Sequence, residues 1–177
     1  AGVLESGRFA VWLAKDEDGE DAEASFGAVA AERLAVPDIV WQPLSSDHGG
    51  RWQVALGDVA VDGVGLQLCG TGGCQAALDT GTSVIAGPSQ MIGAVLAVLN
   101  IDSSCKNFGS LPMLGFVIGG TTFNLDPQDY VQKTGTGCSH RFLAMDTPVM
   151  ASTVLLGAPF LERYYSIYDV DSPRVGL

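Results

Sequence analysis

Short apolar segments, separated by glycine and polar residues, run along most of the chain and predict a mainly β fold. The dipeptide Asp62-Gly63 stands between two apolar segments, which is typical of a two-residue hairpin turn. Gly119-Gly120 stands between two similar segments and predicts a second hairpin. Strands are predicted at residues 9–13, 39–41, 52–56, 59–61, 64–68, 76–78, 117–118, 121–123, 154–156, 165–168 and 174–177. Because no repeat or long linker interrupts this pattern, we expect one domain over residues 1–177.

Three segments have the pattern of short helices. After Pro88, apolar residues recur at helical spacing from Met91 to Leu99, and proline is favoured at the start of a helix. Asp126 precedes Pro127 and predicts a short capped helix over residues 126–131. A third helix is predicted over residues 158–163.

The composition is that of a folded protein with an acidic surface. Apolar residues make up 47% of the 177 positions, and the formal net charge is −11. A negative surface repels phosphate backbones, so nucleic acid is not an expected partner. No apolar run approaches the roughly 18 residues of a membrane span. The chain starts with neither a methionine nor a signal peptide, so we expect a processed product or part of a longer precursor.

Two polar features are interpreted as surface features. Six carboxylates occur within Asp16–Glu23, and we interpret this segment as a solvated loop. The alternative is a calcium loop, but the segment lacks the spacing and the final glutamate of an EF-hand. His48 and His140 stand near no candidate nucleophile, and both are predicted to be surface residues.

Four cysteines, an even number, suggest two disulfides. No histidine lies near them and their spacing fits no familiar zinc site. Sequential pairing would join Cys69 to Cys74 and Cys105 to Cys138, and would imply an oxidising compartment such as the secretory pathway. By loop-closure entropy these bonds would contribute about 2 and about 4 kcal/mol. The alternative is four reduced thiols in the core.

The segment Asp79-Thr80-Gly81-Thr82-Ser83 carries the candidate chemistry. It follows the apolar run 76–78, so we expect a buried strand that delivers one carboxylate into a tight turn, where backbone N–H and hydroxyl groups hold it. A chance occurrence of this pentapeptide is expected on the order of once in ten thousand chains of this length. A water-activating pair of carboxylates needs two such turns, and the chain offers one.

A second segment supports the first. Val154-Leu155-Leu156-Gly157 is an apolar strand that ends in glycine, about 75 residues after Asp79. We expect it to pack beneath the Asp79 turn, because a glycine lets another backbone approach closely.

Taken together, these motifs make the chain resemble the C-terminal lobe of the pepsin-like aspartic proteases. The resemblance covers nearly the whole chain, and its strength lies in the order of motifs that are individually weak. The matching positions are Phe26-Gly27, Trp52-Gln53-Val54, Cys69 to Cys74, residues 75–83, Gly87-Pro88, Cys105, Leu111-Pro112, Phe116-Val117-Ile118, Cys138, Leu155-Leu156-Gly157, residues 160–169 and Val175-Gly176-Leu177.

The resemblance implies an endopeptidase of two similar β lobes, each of which supplies one aspartate. Asp79 would be this lobe's catalytic carboxylate. Thr80 would hydrogen-bond across the lobe interface, Gly81 would let the carboxylate approach its partner, and Thr82 would hold the outer carboxylate oxygen or touch substrate. The two carboxylates would share one proton around a water molecule and work at acidic pH. Such a mechanism implies no cofactor and no metal.

The resemblance also implies partners and a compartment. The partners would be the missing N-terminal lobe and a polypeptide substrate. The compartment would be the secretory pathway, with the protein either secreted or held in an acidic lysosome-like or vacuole-like organelle. The sequential disulfide pairing is favoured by the same resemblance. Val154 would line the cleft on the leaving-group side, while Leu155 and Leu156 would support the loop or pack in the core.

Some positions depart from the family pattern. The second aspartate motif and the flap tyrosine belong to the N-terminal lobe and have no match here. Ala158 stands where the family often has aspartate, and Gly27-Ala28 replaces the usual pair of glycines. Two other functions therefore stay open. One is a binding module that kept the fold without the activity, and the other is a homodimer that pairs two copies of Asp79.

Overall fold

The computed structural model describes residues 4, 6–15, 19–35, 38–46 and 49–177, except for the side chain of Val149. Its described residues form three larger sheets, one two-stranded hairpin and three short α-helices, so the mainly β prediction is confirmed. The strands are β1 Arg8–Trp12, β2 Glu23–Phe26, β3 Trp41–Pro43, β4 Gln53–Leu56, β5 Asp58–Val61, β6 Val64–Gly65, β7 Cys74–Leu78, β8 Ile85–Gly87, β9 Leu114–Ile118, β10 Thr121–Leu125, β11 Val131–Thr134, β12 Gly137–His140, β13 Phe142–Ala144, β14 Thr153–Leu156, β15 Ser166–Asp169 and β16 Arg174–Gly176. The helices are α1 Ser89–Leu99, α2 Pro127–Tyr130 and α3 Ala158–Leu161.

Each sheet combines segments that are far apart in the chain. The first sheet has the order β2-β1-β15-β16-β3 and is antiparallel. The second has the order β10-β9-β5-β6 and is also antiparallel. The third has the order β13-β8-β14-β7-β4 and is mixed, because β14 runs parallel to β7 and antiparallel to β8. The apolar faces of these sheets and of α1 share one buried core.

Both predicted hairpins are present. Gly119 and Gly120 take positive φ values of 60° and 79° and join β9 to β10. Asp62-Gly63 joins β5 to β6, but β6 ends at Gly65 and not at residue 68 as predicted. The reason is the side chain of Asp58, whose carboxylate accepts the backbone N–H groups of residues 67 and 68 and draws the chain away from the sheet.

The predicted helix after Pro88 is confirmed as α1. Its buried face consists of Met91, Ile92, Val95 and Leu99. The helix start is stabilised by a residue that no local pattern indicates, because the carboxylate of Asp146 accepts the N–H of Ser89 at 2.9 Å and also its hydroxyl proton. These hydrogen bonds, the one from the Ser89 hydroxyl first, hold the pKa of Asp146 below its usual value.

The other two predicted helices are also present but shorter than expected. Helix α2 has Asp126 at its N-cap, and the backbone N–H of Asp126 donates to the carboxylate of Asp129 at 2.8 Å. Helix α3 ends at Leu161, two residues before the predicted end.

The predicted strand at residues 39–41 is displaced, since β3 covers Trp41–Pro43. The predicted acidic loop is shorter than expected, because β2 begins at Glu23, while Asp16, Glu17 and Asp18 lie outside the described residues. His48 also lies outside them, and His140 is exposed as predicted.

The four cysteines form the two sequential disulfides. Cys69 is bonded to Cys74 with their Cα atoms 5.0 Å apart, and Cys105 to Cys138 with their Cα atoms 5.1 Å apart. The first bond fixes the start of β7, and the second joins the loop after α1 to β12. The reduced-thiol alternative is therefore wrong. None of the helices in the described residues is long and apolar enough to cross a bilayer.

A buried carboxylate holds the first sheet together. The side chain of Asp169, at the end of β15, is fully buried and pairs with Arg8 at 3.0 Å and Arg174 at 3.1 Å. Burial alone would raise its pKa, but the N–H of Ser172 and the two guanidinium groups outweigh this effect and hold the pKa of Asp169 below its usual value. Both guanidinium groups lie over the ring of Trp41, with ring-centroid distances of 5.7 and 4.1 Å.

Replacing Asp169 by asparagine is expected to destabilise the fold by roughly 3 kcal/mol near pH 6, because two arginines lose their shared anion. The pKa of this carboxylate is lower in the folded protein than in the unfolded chain. The carboxylate therefore adds to the free energy of unfolding above its unfolded-state pKa, and this contribution is lost as the pH falls through the folded-state pKa. The difference between parent and Asp169→Asn should therefore shrink at low pH. Urea unfolding followed by tryptophan fluorescence at pH 6, 4 and 2.5 measures it. A difference that stays constant over this range would contradict the assignment.

Candidate active site

The Asp79 segment forms the loop between β7 and β8, two strands that are not neighbours in their sheet. Strand β14 lies between them, parallel to β7 and antiparallel to β8. The chain therefore leaves the sheet after Leu78, crosses the end of β14 and re-enters the sheet at Ile85. This arrangement places the carboxylate at the edge of the sheet and not within it.

The end of β14 packs directly beneath this loop, as expected from the sequence. The N–H of Asp79 donates to the carbonyl of Leu156 at 3.1 Å, and the N–H of Ala158 donates to the carbonyl of Thr82 at 2.8 Å. Between these bonds stands Gly157, where an added Cβ would lie far inside van der Waals contact of the carbonyl oxygens of Thr82 and Val84. Only glycine allows this approach of two backbones.

Two donors from the loop hold the carboxylate of Asp79. The N–H of Gly81 donates to Oδ1 at 2.9 Å, and the hydroxyl of Thr82 donates to Oδ2 at 2.7 Å. Each carboxylate oxygen has a further lone pair for a water or a second acid. Asp79 and Thr82 are half-buried, whereas Thr80 and Gly81 are exposed. The loop thus presents one oriented acid at an open edge of the protein.

An aromatic cluster supports the strand end that carries Asp79. The ring of Tyr168 stacks on Phe9 with centroids 4.6 Å apart and meets Trp52 edge-on at 5.1 Å. The carbonyl of Trp52 accepts the N–H of Leu78, the residue before Asp79, at 3.0 Å. Burial, and to a smaller extent the negative charge of Asp79, raise the pKa of Tyr168 to about 12. The sequence contained these aromatic residues but gave no signal of their role in supporting the loop.

One expected role is wrong. Val154 was expected to line a cleft, but it is 1% exposed and belongs to the core, where it packs against Gly87. The Val154 side chain therefore points into the core and is not available to a ligand. Leu156 is likewise in the core and Leu155 is half-buried, which agrees with a packing role.

Among the described residues, no other acid takes part in the hydrogen bonds of the Asp79 side chain. The hydrogen bonds to its side chain come from Gly81 and Thr82. The described residues also contain no group of three or more histidine, cysteine or acidic side chains placed to hold a metal ion.

Comparison with known proteins identifies the family. The family model for eukaryotic aspartyl proteases matches residues 1–177, so the chain belongs to this family. The fold is accordingly one lobe of the two-lobed pepsin-like fold.

The chain is similar to cathepsin E-A of Xenopus laevis, at 34% identity over 99% of the chain and 45% of that relative. It is 30% identical to pepsin A of Sus scrofa, over 99% of the chain and 46% of the relative. It is 31% identical to cathepsin D of Dictyostelium discoideum, over 99% of the chain and 48% of the relative. The chain thus spans less than half the length of these curated relatives.

Proposed function

We propose that the chain is the C-terminal lobe of an aspartic endopeptidase and that Asp79 is one of its two catalytic carboxylates. The observation that carries this proposal is the presentation of Asp79 at an open edge, oriented by Gly81 and Thr82. Membership of the aspartyl protease family supports it, as does the share of the relatives that the chain covers. The domain would be residues 1–177, and the N-terminal lobe would be its partner.

In the proposed mechanism the second lobe brings its own aspartate to the free side of Asp79. Two carboxylates at this distance cannot both ionise cheaply, so they share one proton and titrate as a unit. Aspartic proteases are the general example of this coupling. One carboxylate takes a proton from the bound water, while the other donates a proton to the carbonyl oxygen of the peptide bond. The reaction needs acidic pH because the shared proton is lost as pH rises.

The neighbours of Asp79 have proposed roles of their own. The hydroxyl of Thr82 fixes Oδ2, and the N–H of Gly81 fixes Oδ1, so the acid keeps one orientation during turnover. Thr80 is exposed and would hydrogen-bond to the other lobe. No group beyond two carboxylates and a water is required. Two disulfides favour an oxidising compartment, and we propose that the protein is secreted or held in an acidic organelle of the secretory pathway.

The test compares the chain alone with the chain joined to its N-terminal lobe. We expect the two-lobe protein to cleave a fluorogenic peptide at pH 3–5, with inhibition by a transition-state analogue of peptide hydrolysis. The chain alone is expected to cleave at no more than about one thousandth of that rate, since it lacks the second acid.

Two outcomes would support the alternatives. Peptide binding without cleavage by the two-lobe protein would support a non-catalytic module. Full cleavage by the chain alone, with sedimentation as a symmetric dimer, would support the homodimer.

A further inference from the structure

One cavity beside the Asp79 loop is lined by several basic side chains. Its volume is about 750 Å³. The lining includes Lys15, Ser83, Lys133, His140, Arg141 and Glu162, and we call this cavity the basic pocket. None of the roles proposed above uses it.

Two of its cations are paired but keep unused N–H donors. Arg141 forms a two-point ion pair with Glu162 at 2.7 and 3.0 Å, and its Nη1 also donates to the backbone carbonyl of Asp129 at 3.3 Å. Its Nε–H and one hydrogen on Nη2 remain available. Lys15 bonds to Asp129 at 2.7 Å and has two further ammonium hydrogens. Asp129 itself is fully buried and pairs with both Lys15 and Arg163.

Lys133 supplies a surplus positive charge. Its ammonium lies 3.4 Å from the ring centroid of Phe108 and pairs with no carboxylate among the described residues. Counting only described residues that line the pocket or pair with its lining, there are four cations, Lys15, Lys133, Arg141 and Arg163, and three carboxylates, Asp126, Asp129 and Glu162. His140 is a further exposed group at the wall. The basic pocket is thus locally positive in a chain whose net charge is −11.

The basic pocket adjoins the C-terminal part of the Asp79 loop. Ser83 and Val84 form part of its wall, and the next residue, Ile85, donates its N–H to the carbonyl of Arg141 at 2.9 Å. Ser83 follows Asp79 by four residues, so its backbone lies at most about 14 Å away. The separation is shorter than this limit, because the loop turns back where the N–H of Thr82 donates to the carbonyl of Asp79 at 3.3 Å. An extended peptide advances about 3.3 Å per residue, so the pocket wall lies within reach of a substrate residue close to the bond.

We propose that the basic pocket is a subsite for the carboxylate of an acidic residue in the polypeptide substrate, within about five residues of the bond that is cleaved. This inference rests on the proposed function. The ammonium of Lys133 provides the charge, and the spare N–H groups of Arg141 and Lys15 provide hydrogen bonds. An uncharged glutamine in the same place loses the attraction to the ammonium.

The test uses the two-lobe protein and a set of peptides of equal length. A single glutamate is moved through the five positions on each side of the cleaved bond, and each peptide has a matched glutamine version. At one of these positions, we expect the glutamate version to have a kcat/KM about five-fold higher, mainly through KM. Within the working range this preference should be greatest near pH 5 and vanish below about pH 3.5, where the free glutamic acid is protonated.

Two lysine variants assign the preference to the pocket. In Lys133→Gln the ratio of glutamate to glutamine kcat/KM should fall to one. Lys106→Gln removes the same charge from an exposed lysine that does not line the basic pocket, and the ratio should stay as in the parent. Thermal unfolding midpoints check that both variants fold. A ratio near one at every position, or a preference that survives Lys133→Gln, would overturn the proposal.

Failure of the proposed function is distinguishable from failure of the subsite. If no peptide is cleaved, the same glutamate and glutamine peptides are compared by their Kd for the two-lobe protein and for Lys133→Gln. If the parent has a lower Kd for the glutamate peptide and Lys133→Gln has equal Kd values for both peptides, the pocket is a carboxylate-binding site in a protein without catalysis. Equal Kd values for both peptides would reject the pocket as well.

Discussion

Replacing Asp79 by asparagine is expected to lower kcat of the two-lobe protein on the order of 10⁴-fold, with little change in KM. A neutral amide cannot take the proton of the bound water, and it cannot share a proton with the second acid. The amide keeps the local hydrogen bonds, because its oxygen can accept the N–H of Gly81 and its NH₂ can donate to the hydroxyl of Thr82. Steady-state kinetics at pH 3–5, with the unfolding midpoint measured in parallel, separates lost chemistry from lost folding.

Asp102 provides a matched control. Its carboxylate also accepts one backbone N–H and one hydroxyl, both from Ser104 at 2.7 Å, and it lies in the loop after α1. Asp102→Asn should therefore leave kcat within about two-fold of the parent. If Asp79→Asn retained more than a tenth of the parent kcat at an unchanged unfolding midpoint, Asp79 would not be a catalytic carboxylate.

Replacing Gly157 by alanine is expected to destabilise the protein by about 3 to 5 kcal/mol and to abolish most of the activity. The new Cβ would meet the carbonyl oxygens of Thr82 and Val84, which are backbone atoms and cannot move by a change of rotamer. Relief requires the Asp79 loop to move away from β14, which breaks the hydrogen bond from Ala158 to Thr82. Chemical unfolding and kcat/KM of the residual folded fraction measure the two effects.

The same substitution at Gly93 should have the opposite sign. Gly93 is exposed in α1, and an added Cβ there meets nothing within 4 Å. Alanine is the better helix former, so Gly93→Ala should stabilise the protein by about 1 kcal/mol. An equal and small effect of both substitutions would mean that β14 and the Asp79 loop are not in close contact.

Local parts of the site were predictable from the sequence because their contacts are local. Gly81 and Thr82 reach Asp79 from two and three residues away, so the pentapeptide itself contains the donors that orient the acid. The turn at Asp62-Gly63 and the buried face of α1 are equally local, since turn chemistry and helical spacing decide them within a few residues.

Other features depend on residues that are distant in the chain. The carboxylate of Asp146 stabilises the start of α1 from 57 residues away. Strands β8 and β13, of three residues each, are too short to show an alternating pattern. They are strands because β8 pairs with β13 on one side and with β14 on the other. The resemblance implies a cleft position for Val154, but the sequence of an apolar strand does not reveal which of its faces is buried, and the structure places this side chain in the core.

By itself, the sequence determined the mainly β class, the Asp79 turn and the need for a glycine beneath it, because turn geometry and hydrophobic periodicity act over a few neighbouring residues. Only the tertiary structure decided that β14 separates the two strands joined by this turn, that an aromatic cluster supports it, and that basic side chains from separate elements line the pocket beside it. The physical reason is that side-chain contacts between distant segments depend on chain topology, which short-range propensities do not encode.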